Sequence, residues 1–165
     1  MAEIVKIQDT RRIFVNTLNE LAEHDPNIIV ICCDVGFNYL DDPKNKFKIL
    51  NLGVTEQSAT TIAAGLALSG FKPYLYSMIN FVLFRPYEAV RNAVCLHNAN
   101  VKIIGVKGST SYHFLGFSHN LIHKEEDIKV CKNMGLNYYI PQSLSEVKDV
   151  IIKSYNDQKA AYIRL

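Results

Sequence analysis

The stretch K-I-L-N-L-G-V-T-E-Q-S-A-T-T-I-A-A-G-L-A-L-S-G, residues 48–70, decides the fold. It opens on a strand-like run, Lys48 to Asn51, and meets a turn at Gly53. A helix then follows at once, from Glu56 to Ser69. Ala59, Ile62, Ala63, Leu66 and Ala67 mark its buried face, and residues this small require partners that pack very close. Gly70 suits its C-terminal end. Glu56 falls in the first turn, where a carboxylate complements the positive helix N-terminus.

The same alternation runs outward in both directions. Upstream, Asp9 is placed to cap a first helix carrying Ile13, Phe14, Leu18, Leu21 and Ala22 on one face. Asp25-Pro26-Asn27 breaks it, and Ile28 to Cys33 reads as a strand buried on both faces and ended by Asp34-Val35-Gly36. Residues 36–47 are polar and irregular. Downstream, Phe71 to Ser77 reads as a strand, and Pro86 opens a helix with Ala89, Val90, Ala93 and Val94 inward. Val101 to Val106 is a strand, followed by a loop rich in glycine, serine and histidine over residues 107–120. Helix 124–133, strand 137–140, helix 143–157 and strand 160–164 complete the pattern, with Ser143 and Glu146 forming a capping box. Apolar strands alternating with helices predict an α/β fold: a doubly wound, mainly parallel sheet of about six strands with helices on both faces. In such sheets ligands bind beyond the carboxyl ends of the strands. Asp34, the 51–56 turn, Ser77 to Phe84 and the 107–120 loop all fall at those ends.

Composition narrows the function. The 165 residues are 48% hydrophobic, enough for one sizeable core. Net charge is +2 and the basic residues are scattered, which argues against nucleic acid or a membrane surface as partner. The longest apolar run, Ile28 to Cys33, is too short for a bilayer, and the opening M-A-E-I-V-K-I-Q-D-T-R-R has no signal-like core. Cys32, Cys33, Cys95 and Cys131 lack any Cys-x-x-Cys spacing and read as reduced thiols of a cytoplasmic protein. There is no Gly-x-Gly-x-x-Gly, no Walker loop and no Gly-x-Ser-x-Gly elbow. His113, His119 and His123 share no acidic or cysteine neighbour at metal-ligand spacing, so no metal site is expected. What remains is the carboxyl group of Glu56, an aromatic cluster of Phe81, Phe84 and Tyr87, and a histidine loop. A carboxyl group partly withdrawn from water beside aromatic walls can share a proton with a ring nitrogen.

These residues carry a resemblance. N-L-G-V-T-E-Q-S-A-T-T-I-A-A-G-L-A-L-S-G resembles the glutamate-bearing helix start of the transketolase group of thiamine diphosphate enzymes, in their pyrimidine-binding domain. T-R-R-I-F-V-N-T-L-N-E-L-A-E-H-D-P-N-I-I-V-I-C-C-D-V-G is similar to that domain's first helix and strand. N-F-V-L-F-R-P-Y-E-A-V-R-N is similar to its aromatic segment, G-F-S-H-N to its histidine loop and A-A-Y-I-R-L to its closing strand. The resemblance implies that Glu56 hydrogen-bonds the aminopyrimidine ring nitrogen of thiamine diphosphate, a contact that helps the cofactor shed the proton of its thiazolium carbon. It implies that Phe81 stacks on the pyrimidine, that Met78 and Phe84 wall the pocket, and that Asp34 lies near the thiazolium. His119 is then the proton-relaying or sugar-binding histidine. The loop around His113 is shorter than the family's and lacks its acidic run, so the resemblance assigns His113 no role.

The resemblance covers residues 1–165 as a single pyrimidine-binding domain. The family's diphosphate-binding and C-terminal domains are absent, and Lys107-Gly108-Ser109 is no substitute phosphate cradle. The expectation is a transketolase-like subunit or fragment, inactive alone. It would supply half a site to a diphosphate-binding partner that holds Mg2+, for transfer of a two-carbon ketol unit between sugar phosphates. The assembly expected is a homodimer or a heterotetramer. The alternatives are the beta-type half of a 2-oxo acid dehydrogenase, a deoxyxylulose-phosphate-synthase-like enzyme, or a non-catalytic interaction module.

Overall fold

The computed structural model describes residues 2–108 and 110–165, with side chains described from Thr10 onward except at 110 and 111. Six strands form one sheet: β1 (Ile28–Cys32), β2 (Lys48–Asn51), β3 (Lys72–Met78), β4 (Lys102–Val106), β5 (Asn137–Tyr139) and β6 (Ala161–Arg164). Their order is β2-β1-β3-β4-β6-β5, and every neighbouring pair is parallel. The expected α/β sheet is therefore present.

Side chains alternate across a strand, and here both faces are apolar. Ile28, Val30, Tyr74, Tyr76, Ile104 and Ile163 face one core, with Phe14 and Leu18 of α1 (Ala2–Ala22) and Val147 and Ile151 of α5 (Leu144–Asn156). Ile31, Leu75, Ile103 and Tyr162 face the other, against Ala59 and Ala63 of α2 (Glu56–Leu68) and Cys131 of α4 (Glu126–Met134). Phe14 stacks on Tyr76 with ring centroids 5.8 Å apart. Across the sheet's other end Asp25 joins Lys72 at 2.6 Å and accepts from the Tyr155 hydroxyl at 2.8 Å. Asp127, wholly buried, accepts from the Tyr162 hydroxyl at 2.7 Å and from Arg164 Nε and Nη2 at 2.9 and 2.6 Å.

Three local expectations are corrected. Helix α1 begins at Ala2, so Asp9 lies inside the helix and does not cap it; the Asp9 side chain is outside the described residues. Pro86 opens a helix as expected, its carbonyl accepting from the Val90 N–H at 2.9 Å, but the winding starts before it. Residues 80–84 are already wound, in a wide turn where the Arg85 N–H donates to the Asn80 carbonyl at 3.0 Å. Pro86 marks the break after that turn, because it has no N–H to continue the ladder. Beyond it, α3 (Tyr87–Ala89) runs directly into a second wide-wound stretch, Val90–Leu96. The loop after β4 is also partly wound, over Thr110–Ser118, with a kink at Gly116 where φ is 65°. Ser109, the last residue of the expected Lys107-Gly108-Ser109 stretch, lies outside the described residues. Half of the capping box forms, with Ser143 Oγ accepting from the Glu146 N–H at 3.3 Å; the Glu146 carboxylate accepts from the N–H of Gln142, one residue before the cap, at 2.8 Å. No helix among the described residues is long and apolar enough to cross a membrane.

Candidate functional site

The register aligns Cys32 with Asn51 and with Tyr76, Met78 with Val106, and Gly105 with Arg164. The strands therefore end together, and the loops leaving them converge. A cavity of about 610 Å³ opens there, lined by Arg11, Asp34, Tyr76, Met78, Phe81 and His119 among others. Asp34, Met78, Phe81 and His119, all expected at the site, thus share one cavity, although they come from separate segments of the chain. Glu56 and Phe84 are not among its lining. Phe84 packs against the core that faces α2, while Glu56 connects to the cavity wall through an intervening side chain.

That side chain is Arg85. Its Nη1 donates to Glu56 Oε2 at 2.7 Å, and its guanidinium lies over the Phe81 ring, 4.3 Å from the centroid. The His119 ring stands nearly perpendicular to Phe81, at 86° and 4.9 Å. Glu56, Arg85, Phe81 and His119 form a continuous chain of contacts. Glu56 is only 2% exposed, far from the solvated position an ordinary helix-start carboxylate occupies. Helix α2 begins without a side-chain cap on Thr55, and the Glu56 carbonyl accepts from the buried Thr60 hydroxyl at 2.7 Å. Close by, burial pushes the Cys33 thiol up to about 11, with the Glu56 charge adding to the effect.

Asn51 fixes the two strand ends that carry Asp34 and Glu56. Its Oδ1 accepts from the N–H of Asp34 and from that of Gly53, each at 3.0 Å. Asp34 is held in the left-handed region, φ 55°, a conformation that aspartate tolerates better than most residues. The histidine loop is tied from both sides. Asn80 Nδ2 donates to the carbonyls of Phe117 and Asn120 at 3.2 Å, bracketing His119. Asn120 Nδ2 donates to the carbonyls of Tyr112 and Gly116 at 3.0 and 2.8 Å, and 2.7 Å separates Ser118 Oγ from His119 Nδ1. His113 is exposed and is not among the cavity lining.

Sequence reasoning misses three of these residues. Arg11 lines the cavity with its Nε buried and unpartnered among the described residues. Arg85 and Asn80 complete the set. Scattered basic residues read as solvated charges, and no periodicity distinguishes an arginine that turns inward. Burial pushes the Tyr76 hydroxyl up to about 12, so this cavity wall is a neutral hydrogen-bonding group. Among the described residues no three His, Cys, Asp or Glu side chains are grouped to hold a metal ion.

The family model for the transketolase pyrimidine binding domain matches residues 6–165. The chain belongs to that family. An apulose-4-phosphate transketolase subunit of Phocaeicola vulgatus is 31% identical over 159 residues, covering 94% of this chain and 50% of the relative. The subunit of the same name from Actinobacillus succinogenes is 34% identical over 119 residues, or 72% of this chain and 37% of the relative. The 1-deoxy-D-xylulose-5-phosphate synthase of Halalkalibacterium halodurans is 32% identical over 108 residues, 59% of this chain and 17% of that enzyme. Among solved structures, a split gene transketolase in an inactive beta4 tetramer superposes with a TM-score of 0.78 at 26% identity, over 94% of this chain and 50% of that one. The chain spans at most half the length of these relatives. Its six-stranded parallel sheet is the transketolase pyrimidine-binding fold that the family resemblance implied.

Proposed function

We propose that this chain supplies the aminopyrimidine half of a thiamine diphosphate site in a transketolase-type transferase, one that moves a two-carbon ketol unit between sugar phosphates. The observation that carries the reading is the buried carboxylate of Glu56 bridged by one planar cation to the face of Phe81. A flat group already fits between them, which is the shape of an aminopyrimidine ring. Glu56 would hold the ring nitrogen and Phe81 the ring face, with Met78 and Asp34 lining the space beside them. The cofactor, when bound, supplies the stabilised carbanion equivalent on which ketol transfer depends.

The rest of the cavity suits a phosphorylated sugar. Arg11 offers a guanidinium with a buried N–H left unpartnered among the described residues, suited to a phosphate. Tyr76 and His119 offer groups for sugar hydroxyls, and His119 is placed to hold or release a proton there. The diphosphate and its magnesium ion are assigned to a partner domain, in a homodimeric or heterotetrameric assembly of the cytoplasm. Four free thiols are consistent with that compartment. A deoxyxylulose-phosphate-synthase-type condensation is the second reading, favoured by the 32% identity over 108 residues noted above.

The test is reconstitution with the co-purifying diphosphate-binding subunit and an assay of ketol transfer between sugar phosphates. Glu56→Gln is expected to abolish thiamine-diphosphate-dependent turnover while leaving the melting curve within a few degrees of wild type. Normal turnover by the Glu56→Gln enzyme would overturn the reading.

A further inference from the structure

The contacts of Arg85 are the two that the proposed cofactor site assigns to the aminopyrimidine ring. Its Nη1 sits 2.7 Å from Glu56 Oε2, and its guanidinium carbon sits 4.3 Å above the Phe81 centroid. Two planar groups cannot share one ring face at stacking distance. Nor can they share the oxygen productively: an ion-paired carboxylate only accepts hydrogen bonds, and so does a neutral ring nitrogen. The cofactor's ring and the Arg85 guanidinium are therefore mutually exclusive in this position.

We propose that Arg85 is the gatekeeping residue of the pyrimidine subsite: its guanidinium holds the ring's place in the unloaded chain and must swing out for an aminopyrimidine to enter. This rests on the reading of Glu56 and Phe81 given above. The fold supports both states of such a gate. In the closed state Arg85 neutralises a carboxylate that is 2% exposed, and a buried charge left alone is strongly destabilising. For opening, the Arg85 side chain is 45% exposed, so it can turn into water. Its backbone is anchored independently, by the wide-turn bond from its N–H to the Asn80 carbonyl and by Pro86 beyond it. Only the side chain has to move. The closed population then lowers apparent cofactor affinity by the fraction of time the gate is open. A partner that draws the guanidinium away would raise it, which ties cofactor loading to assembly.

The probes are thiamine, which carries the aminopyrimidine without the diphosphate, and thiamine diphosphate with magnesium, both titrated calorimetrically into the full chain. Arg85→Ala is expected to bind thiamine at least about tenfold more tightly than wild type. That gain should vanish in the Glu56→Gln, Arg85→Ala double variant. Nitrogen-15 NMR of the arginine side chains supplies a measurement independent of how well the variant folds. In wild type, saturation with the probe should move the Arg85 resonances to those of a free guanidinium. Binding that depends on Glu56 but is unchanged or weaker in Arg85→Ala, or Arg85 resonances that stay fixed on saturation, would overturn the gate and leave the cofactor site standing. Absent binding, or binding indifferent to Glu56, would overturn both.

Discussion

Gly108 is the position where a single methyl group should separate the histidine loop's role from the stability of the fold. A Cβ built there would lie 2.0 Å from the His119 carbonyl oxygen and 2.7 Å from Asn120 Oδ1. Non-bonded atoms settle at roughly 3.5 Å, so the loop must retreat by at least about 1 Å. The first of these contacts is backbone and cannot rotate away. His119 and Asn120 would move together, disturbing the perpendicular packing on Phe81 and the two carbonyl bonds that Asn120 makes. The strain, about 1–3 kcal/mol for an overpacked site, falls on a surface loop and leaves both cores intact. A reacting group misplaced by about 1 Å loses on the order of 100-fold in rate. Gly108→Ala is thus expected to lower kcat/KM of the reconstituted enzyme by about 100-fold while the chain remains folded at the assay temperature. Steady-state ketol transfer measures the first effect, and the His119 ring-proton shifts, set by the nearby Phe81 ring, report the displacement directly. A variant with wild-type kcat/KM and unmoved His119 resonances would refute the reasoning.

Gly105→Ala should be costly for a different reason. Its Cβ would meet Tyr162 Cε2 at 2.5 Å and the hydroxyl oxygen at 2.8 Å, in the core, and force Tyr162 off Asp127. Overpacking and a lost charge-assisted bond together predict about 2–5 kcal/mol, read as a lower melting temperature; an unshifted melt would contradict this. Gly65, inside α2, has open space around its missing side chain. Gly65→Ala should raise the urea midpoint by an amount worth about 0.5–1 kcal/mol, and a fall would show that the site has a hidden constraint. Acid should also act selectively. Burial pushes the carboxyls of Asp25 and Asp127 upward, but Lys72, the Asn27 N–H and Tyr155 hold the first below its ordinary range, and Arg164 and Tyr162 hold the second. Both folded-state values lie below the unfolded ones. Their stabilisation is therefore full above the ordinary carboxylate range and lost as pH falls through the lowered values. Urea unfolding across that acid range should show a shallower slope in Asp127→Asn; an identical slope would remove Asp127 from the account.

The strands and most helices are legible because their apolar periodicity is set locally. Ile28 to Cys33 has no charged residue, and Ala59 and Ala63 declare a close-packed face before any partner is known. The site is legible in part. Glu56 follows a strand and a glycine turn, so its place at the sheet's carboxyl edge comes from topology alone. Arg11, Asn80 and Arg85 are not legible, since their significance comes from contacts between segments far apart in the chain. The winding of residues 80–84 escapes sequence reading because the proline signal at Pro86 marks only the helix that follows it. The family resemblance puts Phe84 on the pocket wall, and the side chain is partly buried against the core that faces α2.

The position of β6 has a consequence for how the chain is made. Strand β5 precedes β6 in the chain, yet β5 has β6 as its sheet neighbour, and β6 sits between β4 and β5. A nascent chain that has emerged only as far as Tyr139 can pair β2, β1, β3 and β4, while β5 has nothing to bond to. Through that interval β4, whose five residues are all buried in the finished fold, presents an open apolar edge. Strand β6 is therefore a keystone: a cut before Ala161 strips the sheet of two strands at once. Ribosome pausing or proteolysis in the α5 region would be expected to yield aggregates rather than a trimmed, folded chain.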